Sequence, residues 1–153
     1  MSTRVQNRTG RWLLQLGVAL FLLGLLTGLA VPSLANPRMA LASHLEGLMN
    51  GLFLMALGLM WPRVVLSDRL ASVTFWLACY GTFANWMATL LAAVWGAGRM
   101  MPIAGQGQIG VDWQERVLQL LLVSLAISMI LVCGLVLAGL RAGRPAASEG
   151  FEA

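Results

Sequence analysis

His44, Glu46 and Asn50 lie within nine residues, SHLEGLMNG (43–51), at the head of an otherwise apolar run. An imidazole can ligate a metal or carry a proton, a carboxylate can take a proton or shield a cation, and an amide can orient a polar substrate. His44 is the single histidine of the chain. A second polar set, Thr82, Asn85 and Thr89 in YGTFANWMATLL, falls at i, i+3 and i+7 and so shares one helical face. Other readings are open for most of these groups. Ser43 can cap a helix with Glu46 closing a capping box three residues on, and Asn85 can simply hydrogen-bond a neighbouring helix, a contact worth about 1 kcal/mol in a membrane. Neither reading accounts for His44.

The elements that must position these groups are set by composition. Of the 153 residues, 59% are hydrophobic and only 10% charged, with a mean hydropathy of +0.80. Four apolar runs, 12–34, 44–61, 71–96 and 117–140, match the roughly 20 helical residues needed to cross a hydrocarbon core. Barrel strands would be shorter and would alternate in polarity. The expected fold is therefore all-α, an integral membrane bundle of four transmembrane helices, with one domain over 1–140 and a polar, disordered tail over 141–153. The first run follows Arg4, Arg8 and Arg11 and could be read as a secretion signal, but its apolar stretch is long and three more spans follow, so it is kept as a helix of the mature protein.

All ten basic residues are arginines. Seven fall before the first run, between the second and third, or after the fourth; Arg38, Arg99 and Arg116 fall on the other side. The positive-inside rule then places both termini in the cytoplasm, and the expected location is a bacterial-type inner membrane. Spread among loops in this way, the arginines form no nucleic-acid patch. Cys79 and Cys133 lie inside spans without C-x-x-C spacing and read as buried apolar groups.

Inside the spans, Gly24/Gly28 and Gly47/Gly51 form G-x-x-x-G pairs, and Gly58 continues the second face. Such pairs let helix backbones approach closely. The loop GAGRMMPIAGQGQIGVDWQE is long for so small a bundle and suggests a lid or rim. Trp61, Trp86, Trp95 and Trp113 with Tyr80 either line an aromatic cavity or form an interfacial belt. Ser124 and Ser128 are expected to bond back to their own helix.

Helical geometry separates the opening residues. Glu46 and Asn50 share a face, whereas His44 and Asn50, six residues apart, point about 120° from each other. A site using both lies more naturally between subunits than inside one. No nucleophile triad, phosphate loop or zinc spacing is present, and no nucleotide cofactor is indicated. One histidine disfavours a metal held by protein ligands alone, while a haem needs only one strong axial ligand.

The segments LLGLLTGLAVPSLANPRMALASHLEGLMNG, YGTFANWMATLLAAVWGAG and MMPIAG resemble hydroxylaminobenzene mutases, membrane isomerases that convert an arylhydroxylamine to an ortho-aminophenol. More distantly, His44 followed six residues later by Asn50-Gly51, together with Ala84-Asn85, resembles styrene oxide isomerase. That resemblance implies a homotrimer with haem b, His44 as the axial ligand of the iron and Asn50 as a substrate-orienting group. The tyrosine of that family four residues after the helical Asn is Thr89 here, which puts epoxide opening in doubt. Together the resemblances imply a small aromatic substrate; the candidate catalytic residues are Asn50, carried over from the resemblance, and Glu46, Asn85 and Thr89, read from the polar groups inside the spans. The alternatives are an epoxide isomerase, a non-catalytic membrane subunit or assembly protein, and a haem electron carrier.

Overall fold

The computed structural model describes residues 3–142, with side chains from residue 6 onward; most of the polar tail expected over 141–153 lies outside the described residues. Four long helices, α1 (Thr3–Ala30), α2 (Pro37–Met60), α3 (Asp68–Trp95) and α5 (Asp112–Ala142), are joined by short connections and by a loop carrying the one-turn helix α4 (Pro102–Gly105). All four long helices are long and apolar enough to cross a membrane, so the chain is a multi-pass, all-α membrane bundle. Leucines, valines and isoleucines stand exposed along their outer faces, as lipid contact requires.

The helices are longer than the apolar runs, most of all at their starts, because polar residues nucleate them. Asn36 has extended backbone and its Oδ1 accepts from Met39 N at 2.9 Å, with Pro37 in the first turn of α2. Asn36-Pro37, a pair that could equally begin a turn, is thus a helix cap. This removes the expected capping box, because Ser43 and Glu46 sit more than one and a half and about two and a half turns inside α2. Ser67 caps α3, and Gly96, at φ 63°, ends it in the left-handed conformation that glycine adopts without a Cβ clash. Asp112 and Glu115 place negative charge on the first turn of α5, where the helix dipole favours it.

α1 packs along the length of α2, α2 on α3, and α5 chiefly on α3. Half of the α3 span is buried against 11% of the α5 span, so α3 is central and α5 is peripheral. The α1–α2 contact is built on glycine. Gly10, Gly17 and Gly24 recur every seven residues on α1 and meet Gly58, Gly51 and Gly47 of α2. A Cβ on Gly47 would fall 2.5 Å from Gly24 Cα, so the backbones touch. The G-x-x-x-G pairs therefore serve packing within the bundle.

The long loop is tied down on two sides. Asn36 donates its backbone N–H to Ala93 O at 3.0 Å and its Nδ2 to Gly105 O at 3.1 Å. Glu115, buried at the first turn of α5, accepts from Gly110 N at 2.8 Å and Arg99 N at 3.2 Å. A carboxylate that closes the loop onto its own helix start is a structural clasp, and of the two expectations, lid or rim, the fastened loop matches a rim.

Two outcomes test this packing. Gly47→Leu should destabilise the detergent-solubilised protein by about 1 to 3 kcal/mol or more, read as a lower unfolding temperature, while Gly134→Ala, where a Cβ meets nothing within 4 Å, should not. Asn36→Ala, losing cap and loop anchor together, should cost about 1 to 2 kcal/mol and raise proteolysis and amide exchange across 98–110.

Candidate functional site

Glu46 and Asn50 are i and i+4 on α2, and Asn85 faces them from α3. Glu46 Oε2 accepts from Asn85 Nδ2 at 2.6 Å and from Asn50 Nδ2 at 3.0 Å. Asn50 Nδ2 also donates to the Glu46 carbonyl at 2.8 Å, so both of its N–H groups are used. The carboxylate fixes which way each amide points, because only the nitrogen can face an acceptor. Three of the five residues singled out from the sequence thus form one cluster. Asn50 is buried and Glu46 and Asn85 are partly buried.

Thr89 does not reach it. Its hydroxyl donates back to Asn85 O and Trp86 O, both at 3.0 Å. Thr82 likewise bonds to Ala78 O and Cys79 O, so the polar stripe of α3 contributes one group, Asn85, to the site.

His44 lies on the opposite flank of α2. Two residues separate it from Glu46, about 200° around a helix. Its Nδ1 is 2.8 Å from Gly24 O, and the ring rests on Gly28, where a Cβ would fall 2.6 Å from Nδ1. A carbonyl oxygen only accepts, so Nδ1 donates to it, and in the neutral ring Nε2 carries the lone pair that a metal would meet. Among the described residues no group of three His, Cys, Asp or Glu could hold a metal ion.

A buried strut joins the two flanks. Trp86 Nε1 donates to Thr27 Oγ1 at 3.1 Å, and Thr27 donates on to Leu23 O at 2.8 Å. Ser43 Oγ donates to Trp86 O at 3.1 Å. Ser43, expected as a cap, instead locks the register of α2 against α3 beside the cluster. Thr27 carried no sequence signal, and Gly28 carried one only through its G-x-x-x-G spacing.

The four tryptophans and Tyr80 do not share a cavity. Trp95 and Trp113 pair edge to face at 5.1 Å across the loop, Trp86 is the strut, and Trp61 is buried where its carbonyl accepts from Gln6 Nε2 at 3.1 Å. An open aromatic groove of about 710 Å³ does exist between α1 and α3, but Trp12, Phe75, Trp76, Tyr80 and Phe83 line it. On α5, Ser124 bonds to Leu121 O as expected and meets Tyr80 Oη at 2.5 Å, whereas Ser128 reaches across to Leu77 O at 2.9 Å. Cys79 and Cys133 are free thiols.

The sequence pattern of the styrene oxide isomerase family matches residues 9–141. Hydroxylaminobenzene mutase HabB of Ectopseudomonas oleovorans is 59% identical over 132 residues, covering 86% of this chain and 80% of that protein. Hydroxylaminobenzene mutase HabA of the same organism is 50% identical over 114 residues, 74% of this chain and 84% of that protein. No solved structure matches the chain. A match across almost the whole described bundle, with two mutases at such identity, places the chain in the styrene oxide isomerase family, as an isomerase of the mutase type.

Proposed function

We propose that this chain rearranges an arylhydroxylamine to an ortho-aminophenol within the membrane. The Glu46–Asn50–Asn85 cluster carries the reading: a carboxylate held by amides from two helices is an oriented proton acceptor in a region where such groups are costly. The mutase names of two relatives support the substrate class.

The reaction is an isomerisation. The N–O bond breaks heterolytically, the hydroxyl oxygen bonds to the ortho carbon, and one proton moves from that carbon to nitrogen. Glu46 faces the developing cation and stabilises it electrostatically. It then takes the ring proton and returns it to nitrogen, while Asn50 and Asn85 keep the carboxylate from turning.

His44 would hold haem b: the Gly24 carbonyl sets the tautomer, Gly28 seats the ring, and among the described residues Nε2 has no partner. Haem iron held there would supply Lewis-acid chemistry for the departing hydroxyl oxygen. His44 and Glu46 point to opposite flanks of α2, so a homotrimer in which the imidazole flank of one copy meets the carboxylate flank of the next would bring both to one substrate. Positive charge on the side of the 61–67 connection orients the bundle with both termini in the cytoplasm, in a bacterial inner membrane. Epoxide opening is the weaker reading, because the Thr89 hydroxyl is spent on its own helix.

Purified in detergent, the protein should convert phenylhydroxylamine to 2-aminophenol and show a Soret band that His44→Ala removes along with most of the turnover. Absence of 2-aminophenol sinks the mutase reading; full haem and full turnover in His44→Ala sink the ligand assignment.

A further inference from the structure

Glu46 does more than supply a base, because it decides which hydrogen-bonding atoms of the cluster remain for a ligand. Both N–H groups of Asn50 are consumed by Glu46, at its carbonyl and at Oε2, and one N–H of Asn85 is consumed at Oε2. Among the described residues, Glu46 Oε1, Asn50 Oδ1 and Asn85 Oδ1 have no donor, and none is a fully buried orphan, so each keeps some exposed surface. The cluster therefore presents three acceptors against one spare N–H of Asn85.

We infer that Glu46 sets the site's hydrogen-bond polarity, making it acceptor-rich and selective for a ligand head that donates, such as –NHOH, over one that only accepts, such as an epoxide. This deepens the mutase reading and rests on it for the substrate class. An aryl –NHOH group brings an N–H and an O–H to the acceptors and lone pairs to the remaining Asn85 N–H. An epoxide oxygen can satisfy that one N–H and leaves three acceptors stripped of water with no partner. Sites built to bond a ligand's N–H or O–H reject analogues lacking it far more strongly than apolar pockets discriminate by size.

Glutamine at position 46 keeps the shape and reverses the polarity. Its carbonyl oxygen can still accept from Asn50 and Asn85, while its NH₂ replaces Oε1 and donates toward the ligand. The test is calorimetric titration of the full-length protein in detergent, wild type and Glu46→Gln, with phenylhydroxylamine and with styrene oxide. Wild type should prefer phenylhydroxylamine. Glu46→Gln should weaken phenylhydroxylamine by about 10-fold or more and leave styrene oxide unchanged or tighter. A parallel loss for both ligands, no change for either, or no wild-type preference for the donor would overturn the inference. In wild type alone, phenylhydroxylamine methylated on both N and O should lose about 10-fold or more in affinity; retained affinity overturns the inference even if the variant fails to fold. Product analysis separates the two ideas: donor-selective binding without 2-aminophenol defeats the mutase reading only, and turnover without donor selectivity defeats this inference only.

Discussion

A carboxylate within a bilayer has no water to satisfy it and must take its hydrogen bonds from protein. Glu46 does so with two amides, one from the next turn of its own helix and one from α3, and this makes α2 and α3 a single unit around it. On the other flank of α2, His44 takes the Gly24 carbonyl of α1. α2 is thus the hub, with an imidazole on one side and a carboxylate on the other. Glycine makes this possible. Any side chain at Gly24 or Gly47 would push α1 away and take the carbonyl out of reach of the imidazole. Trp86 then ties α1 to α3 through Thr27, so three helices share one register.

Hydrocarbon length and loop arginines made the four spans legible in the sequence, and glycine spacing disclosed the α1–α2 contact. Helix starts were hidden, because Asn36-Pro37 carries the signals of a turn and of a helix cap equally. From that ambiguity followed the misplaced cap at Ser43. The pairing of Glu46 with Asn85 spans 39 residues and depends on the register of two helices, which no local pattern encodes. Thr89 looked like a site residue because it shares the face of Asn85, yet a threonine in an apolar helix readily satisfies itself on a carbonyl a turn back. Glu115 escaped notice because an acid near a helix start reads as ordinary dipole complement; only the fold reveals the loop amides it gathers.

The arrangement also gives the family likeness a chemical basis. A redox-neutral rearrangement needs an electrophile at oxygen and a proton acceptor near the ring, with little else. On the proposed reading His44 would hold the electrophile and Glu46 would be the acceptor, and their separation around the helix would keep the carboxylate from competing for the position beside Nε2. At the cluster the amides are turned toward the carboxylate, an arrangement that on the reading proposed above favours a donating ligand head over an epoxide.

The central claim, that Glu46 and Asn85 act as one unit, is tested most directly by a double-mutant cycle on 2-aminophenol formation with Glu46→Ala, Asn85→Ala and the pair. The expected result is that the double variant is no slower than Glu46→Ala alone, because removing the carboxylate already removes what Asn85 holds. Independent effects that multiply in the double variant would contradict it.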